Sequence, residues 1–498
     1  VATPSVSFTA DAAPELRAAV EEALRLPVVQ GARTGLYAAT LSGQPVLRLN
    51  EDAQLNPASC VKLVTTATAL KTLRPEYRFR TEYLAHGEMD GSTLKGDLVV
   101  RGVGDPTITQ ARLYGVASEL AARGIRTVTG DLVLDDTHFD RVWEGAGWEQ
   151  EVGMDRAYAA QVGALSVDAN VVTVWVRPGD RRGAPATVQL EPPGESLVLE
   201  KQVVTVRYGR RLWVRTFPDG DRTRVVVQGV LGVQEPAERV VRRIYNPTGH
   251  FGSTFLSLLA VRGITVKGKA RPGVTPEGAR LIVADASPRL QEVVTTLNQH
   301  SNNFVAEMLL KAVGAHVRGA PGTTQKGILV AQEMLERDVG LAPGSYILGN
   351  GSGLNDVNRF SAAQLVQLVR RMAQDSTVAP EFVGSLGVAG ASGTLGHRMV
   401  QTAAERQLRG KTGTLAGVSA LTGVVESPRH GPVFFSILVN GVVGPASAAW
   451  EVQDRIGAAM AGDPDPAAVV RRGGRSQPGN QAATAPPDGA SPGGGGPW

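Results

Sequence analysis

The sequence predicts an α+β fold in which one discontinuous domain, built from both ends of the chain, carries a β-rich insertion. Three observations predict it. Helical apolar spacing marks both the start of the chain and its last third. Strand pairs, TGLYAATL with QPVLRLN and GVSALTGVVES with GPVFFSILVNGV, accompany those helices at both ends. The stretch between reads as short β-branched runs separated by turn residues. The expected division is 1–80 plus 281–462 for the discontinuous domain, 81–280 for the β-rich insertion, and 463–498 for a tail.

In chain order, APELRAAVEEALRL has helical spacing, and the first strand pair is joined at Ser42-Gly43. A helix is expected from about Ser59 to Leu70. LKGDLVVRGVG, GDLVLDD, NVVTVWVRPG, ATVQLEPP, QVVTVRYGRRLWVRTF and RTRVVVQGVLG are the strand runs of the insertion. PTGHFGSTFLSLLAVRGITV reads as helix then strand. SPRLQEVVTTLNQHSNNFVAEMLLKAVG, TTQKGILVAQEMLERDVG and SAAQLVQLVRRMAQ read as helices, and PASAAWEVQDRIGAAMAG closes the fold as another. From Gly462 onward Pro, Gly, Ala and Ser dominate with no apolar period, the composition of a flexible tail.

The 498 residues suit two to four domains, and a 42% hydrophobic, 20% charged composition suits a globular protein with a large core. Net charge is only +4, with Arg far outnumbering Lys, and no Lys/Arg block is interleaved with aromatics. Nucleic-acid binding is therefore not supported. The single cysteine, Cys60, excludes an internal disulfide. No stretch reaches the roughly 18 apolar residues of a membrane span. The start is not an intact signal peptide but fits what remains after one is removed.

Three short motifs carry chemistry. Ser59-Cys60-Val61-Lys62 is an S-x-x-K, Ser301-Asn302-Asn303 an S-x-N, and Lys411-Thr412-Gly413 a K-T-G followed by Thr414. The trio in this order marks penicillin-binding proteins and class A β-lactamases. Ser59 and Lys62 share a helix face. A serine hydroxyl needs a base, and lysine serves only when its proton affinity is lowered by burial or a second cation. Lys411 can supply that cation and attract a substrate carboxylate. Ser301 can relay a proton to the leaving amine, and Asn303 can hold Lys62 and the substrate amide. Backbone N–H groups of Ser59 and Thr414 can form an oxyanion hole, with substrate lying along the strand after Lys411.

The chain resembles the low-molecular-mass class C penicillin-binding proteins, D-Ala-D-Ala carboxypeptidases and endopeptidases. NPASCVKLVTTATAL resembles their nucleophile segment. VRGVGDPT, GDLVLDDTHFD, AGWEQEVGMDRAYAAQVGALSVDANVVTV, YNPTGHFGSTFLSLLAVRGI, NGSGLNDVNRFSAAQL and GASGTLGHR resemble their other recurring segments. The resemblance runs from about 20 to 460. It implies a penicillin-recognising, β-lactamase-like domain, an antiparallel sheet flanked by helices, with two nested β-rich insert domains at 81–280. It further implies a Ser59 acyl-enzyme acting on peptidoglycan stem peptides or cross-links, inhibition by β-lactams, no cofactor, and an extracytoplasmic location. The middle residue Asn302 departs from the commoner Asp. The family reads a diaminopimelate side chain through an insert domain, for which Glu151 and Asp155 are candidates.

Ser59 and Ser301 could be helix caps and Asn303 a turn residue. Gly410-Lys411-Thr412 mimics a phosphate loop, but Glu405 stands where glycine is needed. A Cys60 thiol would need a histidine such as His300; a buried small hydrophobe is the better reading. The seven histidines show no metal spacing, and no G-x-S-x-G elbow exists. The basic runs Arg207–Arg215 and Arg239–Arg243 read as solvated strand faces. Two rival functions stay open: a β-lactamase or esterase on the same domain, and a catalytically silent penicillin-binding scaffold.

Overall fold

The computed structural model describes residues 6–8, 14–148 and 155–463. The segment 464–498, read above as tail, and Glu151 lie outside the described residues.

Both ends of the chain meet in one seven-stranded antiparallel sheet. Its order across is Ser7–Phe8, Pro45–Leu49, Arg33–Thr40, Gly431–Asn440, Val418–Ser427, Leu408–Leu415 and Gly387–Val388. The central strand Gly431–Asn440 explains why. Its run PVFFSILV offers water no polar face, so both sides must be covered. Phe434 and Leu438 enter one core, while Val433, Phe435, Ile437 and Val439 enter the other. That is the two-residue alternation of a strand. Helices Lys62–Leu73, Leu290–His300, Asn303–Arg318 and Ala362–Gln374 build the first core. Helices Pro14–Ala23 and Trp450–Met460 build the second. Each such side chain removed from water is worth about 1.5–3 kcal/mol.

The middle of the chain forms two further units. In the first, Arg80–Asp90 and Thr93–Arg101 make an antiparallel hairpin. Leu132–Asp135 runs parallel to the second of these strands, and Arg280–Ala286 antiparallel to the first. Helix Pro247–Val261 packs on this sheet, and so does a helix, Gln110–Ala122, that the strand-rich texture concealed. Its apolar residues Leu113, Val116, Ala117 and Leu120 follow the i, i+3, i+4, i+7 pattern. Thr109 caps it by accepting from the Arg112 N–H at 3.3 Å. The second unit is all β. Two three-stranded sheets face each other across Val174, Val176, Val214, Val225 and Val227.

One expectation in this region is corrected. Arg242 and Arg243 do not lie on a solvated face; they are 5% and 3% exposed. Arg242 Nε donates to the Val214 carbonyl at 2.8 Å, and Arg243 pairs with Glu144 at 2.8 Å and with the Ala159 carbonyl at 3.0 Å. Asp155 is 1% exposed and accepts from Arg215 Nε at 2.6 Å, with Arg242 Nε at 3.5 Å. A buried carboxylate is tolerated only when so partnered. Asp155 therefore ties the small sandwich to the segment that precedes it.

Candidate active site

Ser59 lies inside a 3-10 turn, Ala58–Val61, that leads directly into the helix Lys62–Leu73. It is not a cap, because its side chain bonds no helix N–H. The turn is pinned from behind. Asn56 and Asn440 exchange hydrogen bonds at 2.8 and 3.0 Å, and the Asn56 carboxamide oxygen accepts from the Ala58 N–H at 2.8 Å. This grip holds Ala58 in the left-handed region, φ 46°, at a cost of roughly 1–2 kcal/mol. Two glycines make room for the turn. A Cβ on Gly353 would stand 2.0 Å from the Ala58 carbonyl oxygen; one on Gly413 would stand 2.7 Å from the Pro57 oxygen and 3.1 Å from the Ser59 nitrogen.

Ser301 ends helix Leu290–His300 in the left-handed conformation, φ 56° and ψ 39°. Asn302 then caps helix Asn303–Arg318 by accepting from Val305 N–H at 3.2 Å. The corner between the two helices turns Ser301 and Asn303 toward the same cleft. Lys411 comes from the strand Leu408–Leu415. Its Nζ donates to Ser301 Oγ at 2.8 Å and to the Thr412 carbonyl at 2.8 Å. Thr412 Oγ1 is engaged with Thr394 at 2.7 Å. On one side this strand pairs along its length with Val418–Ser427. On the other, Gly387 and Val388 cover only Gly410 and Arg409. Among the described residues, positions 411–415 are thus an open strand edge, with Thr414 exposed.

Lys62 sits beneath Ser59 and is fully buried. Its Nζ lies 2.8 Å from Ser59 Oγ, 2.6 Å from Asn303 Oδ1 and 2.5 Å from the Ser352 carbonyl oxygen. Asn303 is oriented by its own amide, whose Nδ2 donates to the Tyr158 carbonyl at 2.9 Å. The hydrogen-bond count then fixes roles. A neutral amine has two N–H donors and one lone pair. Asn303 Oδ1 and Ser352 O can only accept, so they take both N–H groups. The lone pair is left for the Ser59 hydroxyl.

Electrostatics favour that protonation state. Burial, then the Lys411 charge, holds Lys62 well below the usual lysine range. Burial also brings Lys411 down, to about 8. Lys62 gives up its proton first; Lys411, facing a neutral amine, keeps its own at neutral pH. Two lysines in one cleft thereby divide into base and cation. Cys60 is buried, donates to the Lys411 carbonyl at 3.1 Å, and is pushed up to about 11 by burial. His300 is exposed. No thiol–imidazole pair forms.

The structure thus brings Ser59, Lys62, Ser301, Asn303, Lys411, Thr412 and Gly413 together, with the Thr414 side chain at the exposed rim. Beside them is an apolar cluster of Trp148, Ala159 and Leu354, with Tyr158 and Leu415 packed against it. Among the described residues no group of three or more His, Cys, Asp or Glu is placed to hold a metal ion. Three participants lie outside the three motifs: the carbonyls of Tyr158 and Ser352, and Glu307. Backbone carbonyls carry no sequence signal. Glu307 did carry one, as a lone acidic residue in the apolar stretch FVAEMLL.

Comparison with known proteins identifies the family. The model of the D-Ala-D-Ala carboxypeptidase 3 (S13) family matches residues 16–461. The D-alanyl-D-alanine carboxypeptidase of Actinomadura sp. (strain R39) is 36% identical over 463 residues, covering 90% of this chain and 84% of that protein. The D-alanyl-D-alanine carboxypeptidase DacB of Haemophilus influenzae is 25% identical over 421 residues, 83% of this chain and 86% of that one. The crystal structure of penicillin binding protein 4 (dacB) from Haemophilus influenzae superposes with a TM-score of 0.76 at 23% identity, covering 85% of this chain and 94% of that one. A buried lysine under a serine and an S13 match over nearly all of the described chain lead to one assignment: this protein belongs to the D-Ala-D-Ala carboxypeptidase 3 (S13) family, within the low-molecular-mass class C penicillin-binding proteins.

Proposed function

We propose that this serine peptidase cleaves D-alanyl peptide bonds of peptidoglycan through an acyl-enzyme on Ser59. One observation carries the reading: the Lys62 amine, buried and with both N–H groups committed elsewhere, lies 2.8 Å from Ser59 Oγ. A stem peptide or cross-link lies along the open edge at 411–415, its carboxylate drawn by Lys411. Ser59 attacks the penultimate carbonyl carbon while its proton passes to Lys62. The C–N bond then breaks, and the proton reaches the leaving amine through Ser301, itself bonded to Lys411. Water completes hydrolysis and frees Ser59. Gly413 lies against Ser59, and this supports an oxyanion hole made by the Ser59 and Thr414 N–H groups; each such donor is worth about 3–4 kcal/mol in the transition state. Thr412 and Gly413 shape the strand on which substrate rests.

The same reading divides the chain into a catalytic domain from both ends and two inserts. The segment 280–286 goes with the inserts, since it pairs with 80–90. It also places the enzyme's work outside the cytoplasm, where peptidoglycan lies. Among the described residues no helix is long and apolar enough to cross a membrane.

Digestion of muropeptides followed by mass spectrometry tests the function. Loss of a terminal D-Ala or scission of a D-Ala cross-link is the expected result. Intact muropeptides alongside rapid penicillin turnover would point instead to a β-lactamase. The pH profile tests the division of labour. Acylation by penicillin needs Lys62 neutral and Lys411 charged, so kcat/KM is expected to fall as pH rises through about 8, the Lys411 value. An ester substrate lacking the carboxylate should lose that alkaline limb. A profile identical for both substrates would remove Lys411 from carboxylate binding.

A further inference from the structure

Helix Asn303–Arg318 carries a buried carboxyl group that the steps above leave unused. Glu307 is 0% exposed and stands one turn beyond Asn303, on the same helix face. Its Oε1 accepts from the N–H groups of Gly351 at 3.1 Å and Ser352 at 2.8 Å. Its Oε2 has no hydrogen-bond partner among the described residues. The peptide it grips ends in the Ser352 carbonyl, the group that takes a Lys62 N–H at 2.5 Å. Thr65 Oγ1 steadies the preceding carbonyl, Gly351, at 2.7 Å.

We propose that Glu307 is a positioning residue for acylation: by holding the Gly351 and Ser352 N–H groups it aims the Ser352 carbonyl at Lys62. Without that acceptor the amine has a spare N–H, and it can turn its lone pair away from Ser59. The proposal rests on Ser59 and Lys62 acting as above. Its second consequence is electrostatic. The charged or titratable groups facing Lys62 are Lys411 from its strand, Cys60 from the nucleophile turn and Glu307 from its helix. Lys411 lowers the proton affinity of Lys62, and Glu307 raises it. Burial pushes the Glu307 carboxyl up; in its ionised form it keeps Lys62 basic enough to accept the Ser59 proton. An uncharged residue of the same shape could hold the loop but could not do this.

Two substitutions separate the roles. Glu307→Gln keeps a carbonyl oxygen for the two N–H groups and removes the charge; Glu307→Ala removes both. Acylation by a fluorescent penicillin is followed against pH, with near-ultraviolet circular dichroism reporting the fold. Glu307→Ala is expected to slow acylation about a hundredfold. Glu307→Gln is expected to recover most of that rate, with its acid limb at lower pH than wild type because Lys62 has lost an attracting charge. A Glu307→Ala rate equal to wild type, or a Glu307→Gln acid limb that stays in place, overturns the proposal. If Glu307→Ala does not fold, the glutamine limb decides alone. A wild-type protein that takes no label sinks the Ser59 mechanism itself, so the two failures are distinguishable.

Discussion

Ser59→Ala is expected to take up no fluorescent penicillin and to lower peptide turnover by about 10⁵–10⁶, while the protein stays folded. The hydroxyl is the only one within hydrogen-bond distance of Lys62 among the described residues, and removing it leaves the base with nothing to activate. The fold should hardly notice. Ser59 is only half-buried, and losing one hydrogen bond of this kind costs about 1 kcal/mol. Intact mass after incubation with penicillin checks the first part: wild type gains the mass of one adduct and the variant none. A surviving adduct would move the nucleophile elsewhere, with Ser301 the first suspect because its hydroxyl also reaches the cleft.

Lys62→Met is expected to slow acylation by about 10²–10⁴, the usual worth of a positioned general base. Methionine nearly matches the length of the stem but has no basic nitrogen. Lys62→Arg sharpens the test, since it restores positive charge but cannot give up its proton at any working pH. If Lys62 acts as a base, both variants fail together. If it only supplies charge, the arginine variant should retain much of the rate. Stopped-flow acylation of both, normalised to the folded fraction by circular dichroism, separates these outcomes. An active Lys62→Arg enzyme would overturn the neutral-amine assignment and the hydrogen-bond count behind it.

The chemistry was legible because three motifs hold residue types whose roles are set by elementary reactivity. The lysine at 62 can be a base only if buried, and the structure buries it. The terminal strands were legible because PVFFSILV cannot face water on either side. Less was legible where meaning depends on long-range placement. Arg242 and Arg243 look like surface charge in ERVVRR, yet they are consumed by Asp155, Glu144 and backbone carbonyls from other segments. The helix Gln110–Ala122 was hidden by its setting, an apolar stripe between strands. The Ser352 carbonyl had no signal, because its role belongs to the backbone of a turn that Glu307 grips from another helix.

The position of strand Gly431–Asn440 also governs the order in which the molecule can be assembled. Its neighbours Arg33–Thr40 and Val418–Ser427 hydrogen-bond to each other only through it. A nascent chain folds from its N-terminus, so the hairpin of 33–49 must wait with a bare edge while nearly four hundred residues are made. The middle units close on themselves in the meantime, sparing the waiting strands from competing partners. The strand that carries Lys411 is therefore joined to that hairpin only once Gly431–Asn440 is in place.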